Sequence, residues 1–285
     1  MALWVASFRV QDLDKASFSF EVHDRDGQKI ADTVFYGGGQ FAPPGFEGVI
    51  RRFSLEDPKN DERRQIFVYF PPEDLVGPAE RTVVLLDGES IFDFAYHIEK
   101  AISADGLSPI AIIGITSGPF AVEGNAAGGI RSQEYRPATR EDSPRFDNYV
   151  DFVTKTVIPW AGSDLSLPST PEAMTIAGFS DGAQFAAWML KEHAASFRSA
   201  IIMSPGEQVA KLSDPLPADA IAYVSAGLYE PAFLSAARAT RQRFEGAGVT
   251  VALQIVHAGH DTSNWTHALI KGLYATEKAP NDMSD

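Results

Sequence analysis

A chain of 285 residues, 45% hydrophobic and 22% charged, has the make-up of a folded protein long enough to bury a sizeable core. Its formal charge of −14 disfavours nucleic acid and anionic membrane as partners, because binding either relies on a basic surface. Zero cysteines exclude a disulfide framework, a thiol nucleophile and a cysteine zinc site.

The first nine residues, Met1-Ala2-Leu3-Trp4-Val5-Ala6-Ser7-Phe8-Arg9, lack a basic start followed by an apolar core. No apolar run reaches membrane-spanning length, so a cytoplasmic protein is expected. Ser17-Phe18-Ser19-Phe20-Glu21-Val22 alternates polar and apolar, Asp24-Arg25-Asp26-Gly27 supplies a turn, and a second extended run over 29–36 ends in Gly37-Gly38-Gly39. These features predict a β-rich extension over residues 1–45, acting as edge protection or as a substrate lid, ahead of a main domain at 46–285.

Two strands are expected over 48–54 and 65–70, with the charged stretch 56–64 as a solvated hairpin loop. Thr82-Val83-Val84-Leu85-Leu86 is then an uninterrupted apolar run, the mark of a parallel strand covered on both faces. From there the pattern alternates. A helix over 90–102 precedes a strand at 110–115, and a helix over 146–158 has Ser143 placed to cap it and Pro144 at its first position. Strands follow at the run ending in Thr175-Ile176-Ala177, at 199–203, at 220–224 and at 249–256, with helices over 183–190, 233–244 and 263–274. The alternation predicts an α/β fold with a mainly parallel central sheet and helices on both faces. The polar tail after Thr276 is expected to fray.

Gly178-Phe179-Ser180-Asp181-Gly182 lies between a buried strand and a buried helix. A serine at the apex of such a turn is lifted out of the sheet, and small residues two before and two after let strand and helix pass closely. Active-site residues of an open α/β sheet sit just past the carboxyl ends of strands. Those positions give Ser180, Glu230 and His260, in the chain order serine, acid, histidine. The expected roles are nucleophile for Ser180, general base for His260, and orienting acid for Glu230. The oxyanion would be held by the backbone N–H of Asp181 and by that of Gly88 or Glu89. His257 is the competitor for the base and Asp261 an alternative acid. No H-E-x-x-H or comparable ligand cluster is present, so no metal site is expected.

Leu85-Leu86-Asp87-Gly88, the serine pentapeptide with Ala183, Gly227-Leu228-Tyr229-Glu230 and Gly259-His260-Asp261-Thr262-Ser263-Asn264-Trp265 resemble the esterase D / enterochelin esterase-like family of α/β hydrolases. Arg131-Ser132-Gln133-Glu134-Tyr135-Arg136-Pro137 resembles that family's loop between two central strands. The resemblance covers about 48–273. It implies an α/β-hydrolase fold, ester hydrolysis by a serine nucleophile without cofactor, and the same placing of Ser180, His260, Glu230 and the loop after Gly88. Arg131 and Glu134 are expected either in a loop salt bridge or shaping the substrate mouth, and Trp265 in helix packing or lining the pocket. The Asp181 carboxylate, at a helix N-terminus, is expected to disfavour anionic acyl groups. An acyltransferase using the same site and a non-catalytic binding protein of this fold are the alternatives. The partner expected is a small-molecule ester, its identity open, as is the oligomeric state.

Overall fold

The computed structural model describes residues 46–118, 125–139, 143–207, 209 and 219–277, with the backbone of 18–23, 29–36 and 40–41. The chain divides into two compact units, 1–47 and 48–285. In the first, β1 (Phe18–His23) pairs antiparallel with β2 (Lys29–Tyr36), which pairs antiparallel with β3 (Gln40–Phe41). The expected turn at 24–27, the glycine run 37–39, the first nine residues and the tail from 278 lie outside the described residues.

The second unit is built on an eight-stranded sheet. Its strands are β4 (Val49–Asp57), β5 (Glu62–Phe70), β6 (Arg81–Leu86), β7 (Ile110–Ile115), β8 (Met174–Phe179), β9 (Ser199–Met203), β10 (Ile221–Gly227) and β11 (Thr250–Val256), in the spatial order β11-β10-β9-β8-β6-β7-β5-β4. From β7 across to β11 every neighbouring pair is parallel, while β5 runs antiparallel to β7 and β4 to β5. The helices are α1 (Glu73–Val76), α2 (Ile91–Asp105), α3 (Asn125–Tyr135), α4 (Arg145–Asp151), α5 (Ile158–Asp164), α6 (Asp181–Glu192), α7 (Pro231–Gly246) and α8 (Thr262–Glu277).

Both faces of the sheet are covered, which is why its central strands carry unbroken apolar runs. Val84, Leu86, Ile113, Ile115, Ile202 and Val224 join the main apolar cluster with side chains of α4 to α7. The alternate positions Val83, Leu85, Ile112 and Ile201 are also buried. They face the other side, where α8 lies so close that a Cβ on Gly272 would come within 2.7 Å of Ile201. No helix among the described residues is long and apolar enough to cross a membrane.

Besides α3, which occupies most of the segment read as a loop at 131–137, two elements depart from the pattern read in the sequence. The charged stretch 56–64 is not a solvated loop: β4 and β5 extend into it, and Asp57 and Arg64 are 1% and 0% exposed. Arg64 donates from Nε to Asp57 at 2.7 Å and from Nη2 to Glu134 at 2.7 Å, with its guanidinium over the Tyr149 and Phe152 rings at 5.0 and 5.3 Å. Burial of Arg64 is tolerated because two carboxylates and two ring faces replace its water. The second departure is the helix expected over 146–158. It runs from Arg145 to Asp164 with a π-helical segment, Phe152–Val157, in its middle. Pro159 explains the interruption, since it lacks an N–H and its ring crowds the carbonyl four residues earlier. Pro144 is the N-cap rather than the first helical residue, and Ser143 before it accepts the Arg145 N–H on its Oγ at 3.2 Å.

Removing the Arg64 charge leaves the buried carboxylates of Asp57 and Glu134 short of a counter-ion. Arg64→Met is expected to lower unfolding stability by about 3 kcal/mol or more, read by urea denaturation.

Candidate active site

Six parallel strands end on one rim of the sheet, and the chemistry-bearing residues follow five of them. Ser180 lies between β8 and α6 with φ 57° and ψ −118°. A serine held at positive φ is strained, and the neighbours hold it there. Its N–H donates to the Met203 carbonyl at 3.0 Å. A Cβ on Gly178 would sit 2.5 Å from the Gly182 backbone, so strand and helix cross this closely only because position 178 lacks a side chain.

Glu230 and His260 come from the loops after β10 and β11. The Leu228 N–H donates to the Val256 carbonyl at 2.7 Å and the Tyr229 N–H to the Ala258 carbonyl at 3.0 Å, tying the two loops together. His260 Nδ1 lies 2.6 Å from Glu230 Oε2. The other carboxylate oxygen accepts from Ser204 Oγ at 2.6 Å, from Asn264 Nδ2 at 3.2 Å and from the Gly227 N–H. Burial would raise the Glu230 carboxyl, but the donors from His260, Gly227 and Ser204 outweigh it and hold the group below the usual glutamate value. An ionised carboxylate only accepts, so Nδ1 of His260 carries the proton and Nε2 is left as an acceptor.

Aromatic rings fix the imidazole from the sides. Phe233 stacks on it at 4.1 Å and 22°, and Trp265 meets it edge-on at 5.0 Å. Trp265 in turn stacks on Phe179, next to the serine, at 4.1 Å and 9°. Trp265, in the first turn of α8, is thus packed between the residue before Ser180 and the His260 ring. His257, the competing base, is exposed with no hydrogen bond among the described residues. Asp261 is turned to its own helix: its Oδ1 accepts from the N–H groups of Ser263 and Asn264 at 3.0 and 3.2 Å, so it does not stand in for Glu230.

The loop after β6 carries the other candidate oxyanion donors. Asp87 is left-handed, with φ 53° and ψ 58°, and Gly88–Ser90 form a short 3₁₀ turn. Gly88 lies against β7, where a Cβ would be 2.2 Å from the Gly114 carbonyl carbon. Arg131 grips the Asp87 carboxylate with both arms, Nε to Oδ1 at 2.6 Å and Nη2 to Oδ2 at 2.8 Å. It also reaches Asp181 at 3.4 Å and the Phe179 carbonyl at 3.4 Å. One guanidinium thus bridges the Asp87 loop and the serine turn.

That arrangement corrects two expectations. Glu134 is not at a substrate mouth: it is 0% exposed, paired with Arg64 and Arg145, and accepts the Gly118 N–H at 2.8 Å. The Asp181 carboxylate is not an uncompensated charge against anionic acyl groups, because Arg136 donates to it at 2.8 Å, Gln184 at 3.1 Å and Ser132 at 3.2 Å. Arg131 sits in the ion pair rather than free for substrate. Ser204, Asn264 and Phe233 were not singled out as site residues from the sequence. Ser204 was within reach, since it follows β9 as Ser180 follows β8. Among the described residues no group of three His, Asp or Glu is placed to hold a metal ion.

A family model described as "Putative esterase" matches residues 59–276. The chain belongs to this esterase family. Its members act on ester bonds, and the enzyme is a hydrolase of that class. No curated protein sequence matches it significantly. Among solved structures, the BES protein from Bacillus cereus is 16% identical with a TM-score of 0.64, the match covering 83% of this chain and 97% of that one. The enterobactin esterase FES from Shigella flexneri, in the presence of enterobactin, is 15% identical with a TM-score of 0.66, over 90% of this chain and 66% of that one. A ferulic acid esterase from the anaerobic fungus Anaeromyces mucronatus is 10% identical with a TM-score of 0.62, over 83% of this chain and 97% of that one. The fold of the esterase is accordingly the α/β-hydrolase fold.

A methyl group on Gly114 would meet the Gly88 carbonyl oxygen at 2.6 Å. Gly114→Ala is therefore expected to displace the loop and cut kcat on 4-nitrophenyl acetate by about a hundredfold, the usual cost of one oxyanion donor, with KM little changed. Glu230 makes a second prediction. Because its folded pKa is depressed, its stabilising contribution is present above the unfolded value and is lost as pH falls through the folded one. The stability difference between wild type and Glu230→Gln should hold steady above about pH 5 and shrink below about pH 4, in urea titrations at stepped pH.

Proposed function

We propose that the esterase is a serine carboxylesterase that hydrolyses a small or medium ester through an acyl-enzyme, with Ser180 as nucleophile, His260 as general base and Glu230 as the orienting acid. The observation that carries this reading is the 2.6 Å contact between His260 Nδ1 and a Glu230 carboxylate that is saturated with donors. It commits the imidazole to the tautomer whose Nε2 can take a proton. Ser180 follows another parallel strand of the same sheet, β8, in the strained turn that such a nucleophile requires.

In the reaction, Ser180 Oγ attacks the ester carbonyl as its proton passes to His260 Nε2, and the Asp181 N–H with that of Gly88 or Glu89 receives the oxyanion. His260 then returns the proton to the departing alcohol. Water, activated by the same imidazole, releases the acid and regenerates Ser180. Glu230 stays ionised throughout and stabilises the imidazolium. The face of Phe233 offers the imidazolium a further favourable contact.

Two exposed apolar side chains adjoin the acid in the chain. Leu228 and Tyr229, 38% and 69% exposed, immediately precede Glu230. Structural neighbours include an enterobactin esterase and a ferulic acid esterase, and the substrate class we favour is an ester with an apolar or aromatic acyl group.

A fluorophosphonate probe followed by peptide mass spectrometry should label Ser180. Ser180→Ala should keep its fold and lose turnover of 4-nitrophenyl acetate, and Glu230→Gln should lower kcat by at least about a hundredfold. Wild-type turnover in Ser180→Ala would remove the assignment.

A further inference from the structure

Ser204 lies at the carboxyl end of β9, buried to 1% exposure, with φ 49°. Glycine would adopt that backbone without strain, whereas a side chain there is costly. The hydroxyl has two partners of fixed polarity. The Trp265 indole N–H can only donate, and reaches Ser204 Oγ at 3.1 Å. The ionised Glu230 carboxylate can only accept, and lies 2.6 Å away. Accepting from the indole leaves the Ser204 proton directed at Glu230, so the chain of hydrogen bonds has one possible sense.

The backbone on either side adds a second link. The Met203 carbonyl receives the Ser180 N–H at 3.0 Å, and the Ser204 N–H donates to the Ser225 carbonyl at 2.8 Å. The dipeptide Met203-Ser204 thus holds the serine turn by its carbonyl and the acid by its hydroxyl. With 1% exposure Ser204 cannot itself meet a substrate.

Resting on the hydrolase reading above, we propose that Ser204 is a positioning residue of the catalytic relay, kept in a left-handed conformation so that its hydroxyl fixes the Glu230 carboxylate against His260. Its effect reaches the substrate only through Glu230 and His260. Loss of the hydroxyl frees the carboxylate to turn about its remaining donors, Gly227 and Asn264, and loosens the imidazole at the moment of proton transfer.

Two variants separate positioning from bulk stability. Ser204→Ala and Ser204→Gly both remove the hydroxyl, but glycine relieves the positive φ and alanine does not, so Ser204→Gly should melt at a higher temperature than Ser204→Ala. Both should show the same fall in kcat on 4-nitrophenyl acetate, roughly tenfold or more, with KM within about twofold of wild type. Equal kcat losses at unequal melting temperatures support the proposal. A kcat that follows the melting temperature, or a wild-type kcat in Ser204→Gly, overturns it. Ser180→Ala, measured beside them, distinguishes the two levels of failure. Turnover persisting in that variant removes the hydrolase reading and the proposal with it, whereas a silent Ser180→Ala beside a wild-type Ser204→Gly overturns the proposal alone.

Discussion

A carboxylate taken out of water stays ionised only if enough donors replace its hydration, and the Glu230 end of the sheet is arranged around that requirement. Its donors come from four separate places: Ser204 after β9, Gly227 at the end of β10, His260 after β11 and Asn264 in the first turn of α8. Each is delivered by an element whose position is set by the sheet. The parallel register of β9, β10 and β11 is therefore what brings Glu230, His260 and their supports to one spot. The imidazole is held as a consequence, by one strong hydrogen bond and by rings on its flanks.

The other half of the rim solves a similar problem with ion pairs. α3 carries Arg131 and Glu134 one turn apart, and the two are used in opposite directions. Glu134 ties the helix to Arg64 in the β4–β5 hairpin, while Arg131 ties it to Asp87 and Asp181 at the mouth of the sheet. Burial pushes the Asp87 carboxyl up, and the Arg131 fork opposes that. A planar guanidinium with two arms on one carboxylate fixes orientation as well as distance, which a lysine could not do. The Asp87 loop and the Ser180 turn are so held relative to each other by a group outside both. This matters for chemistry because oxyanion donors lose most of their value when displaced by an ångström.

Strain is concentrated where these functions meet. Asp87, Ser180 and Ser204 each take a positive φ, and each immediately follows a central strand. Such conformations persist only where surrounding contacts over-determine them. Here the over-determination is visible: Tyr135 Oη accepts the Asp87 N–H at 3.0 Å, Met203 the Ser180 N–H, and Ser225 the Ser204 N–H. The rigid sheet bears the cost of three strained turns so that three side chains point off its edge.

The sequence by itself determined the alternating architecture and the positions of its chemical groups. Unbroken apolar runs at Thr82–Leu86 and 199–203 could only be strands covered on both sides, and residues following such runs must gather at one rim. That reasoning reached Ser180, Glu230 and His260, and the glycines at 178 and 182, without any knowledge of distance. What it could not reach was who neutralises whom. Arg64, Asp57 and Glu134 are separated by up to 77 residues in the chain, and a charged residue in a sequence looks the same whether it faces water or a buried partner. Arg131 and Glu134 were read together, in a loop salt bridge or at a substrate mouth. Only the tertiary structure decided that one holds the Asp87 loop and the other the far hairpin. The same holds for Ser204, whose hydroxyl acquires its meaning from a tryptophan 61 residues away and a glutamate 26 residues away. Hydrophobic pattern is a local property and survives in one dimension, whereas the pairing of buried charges and donors is fixed only when distant elements close around them.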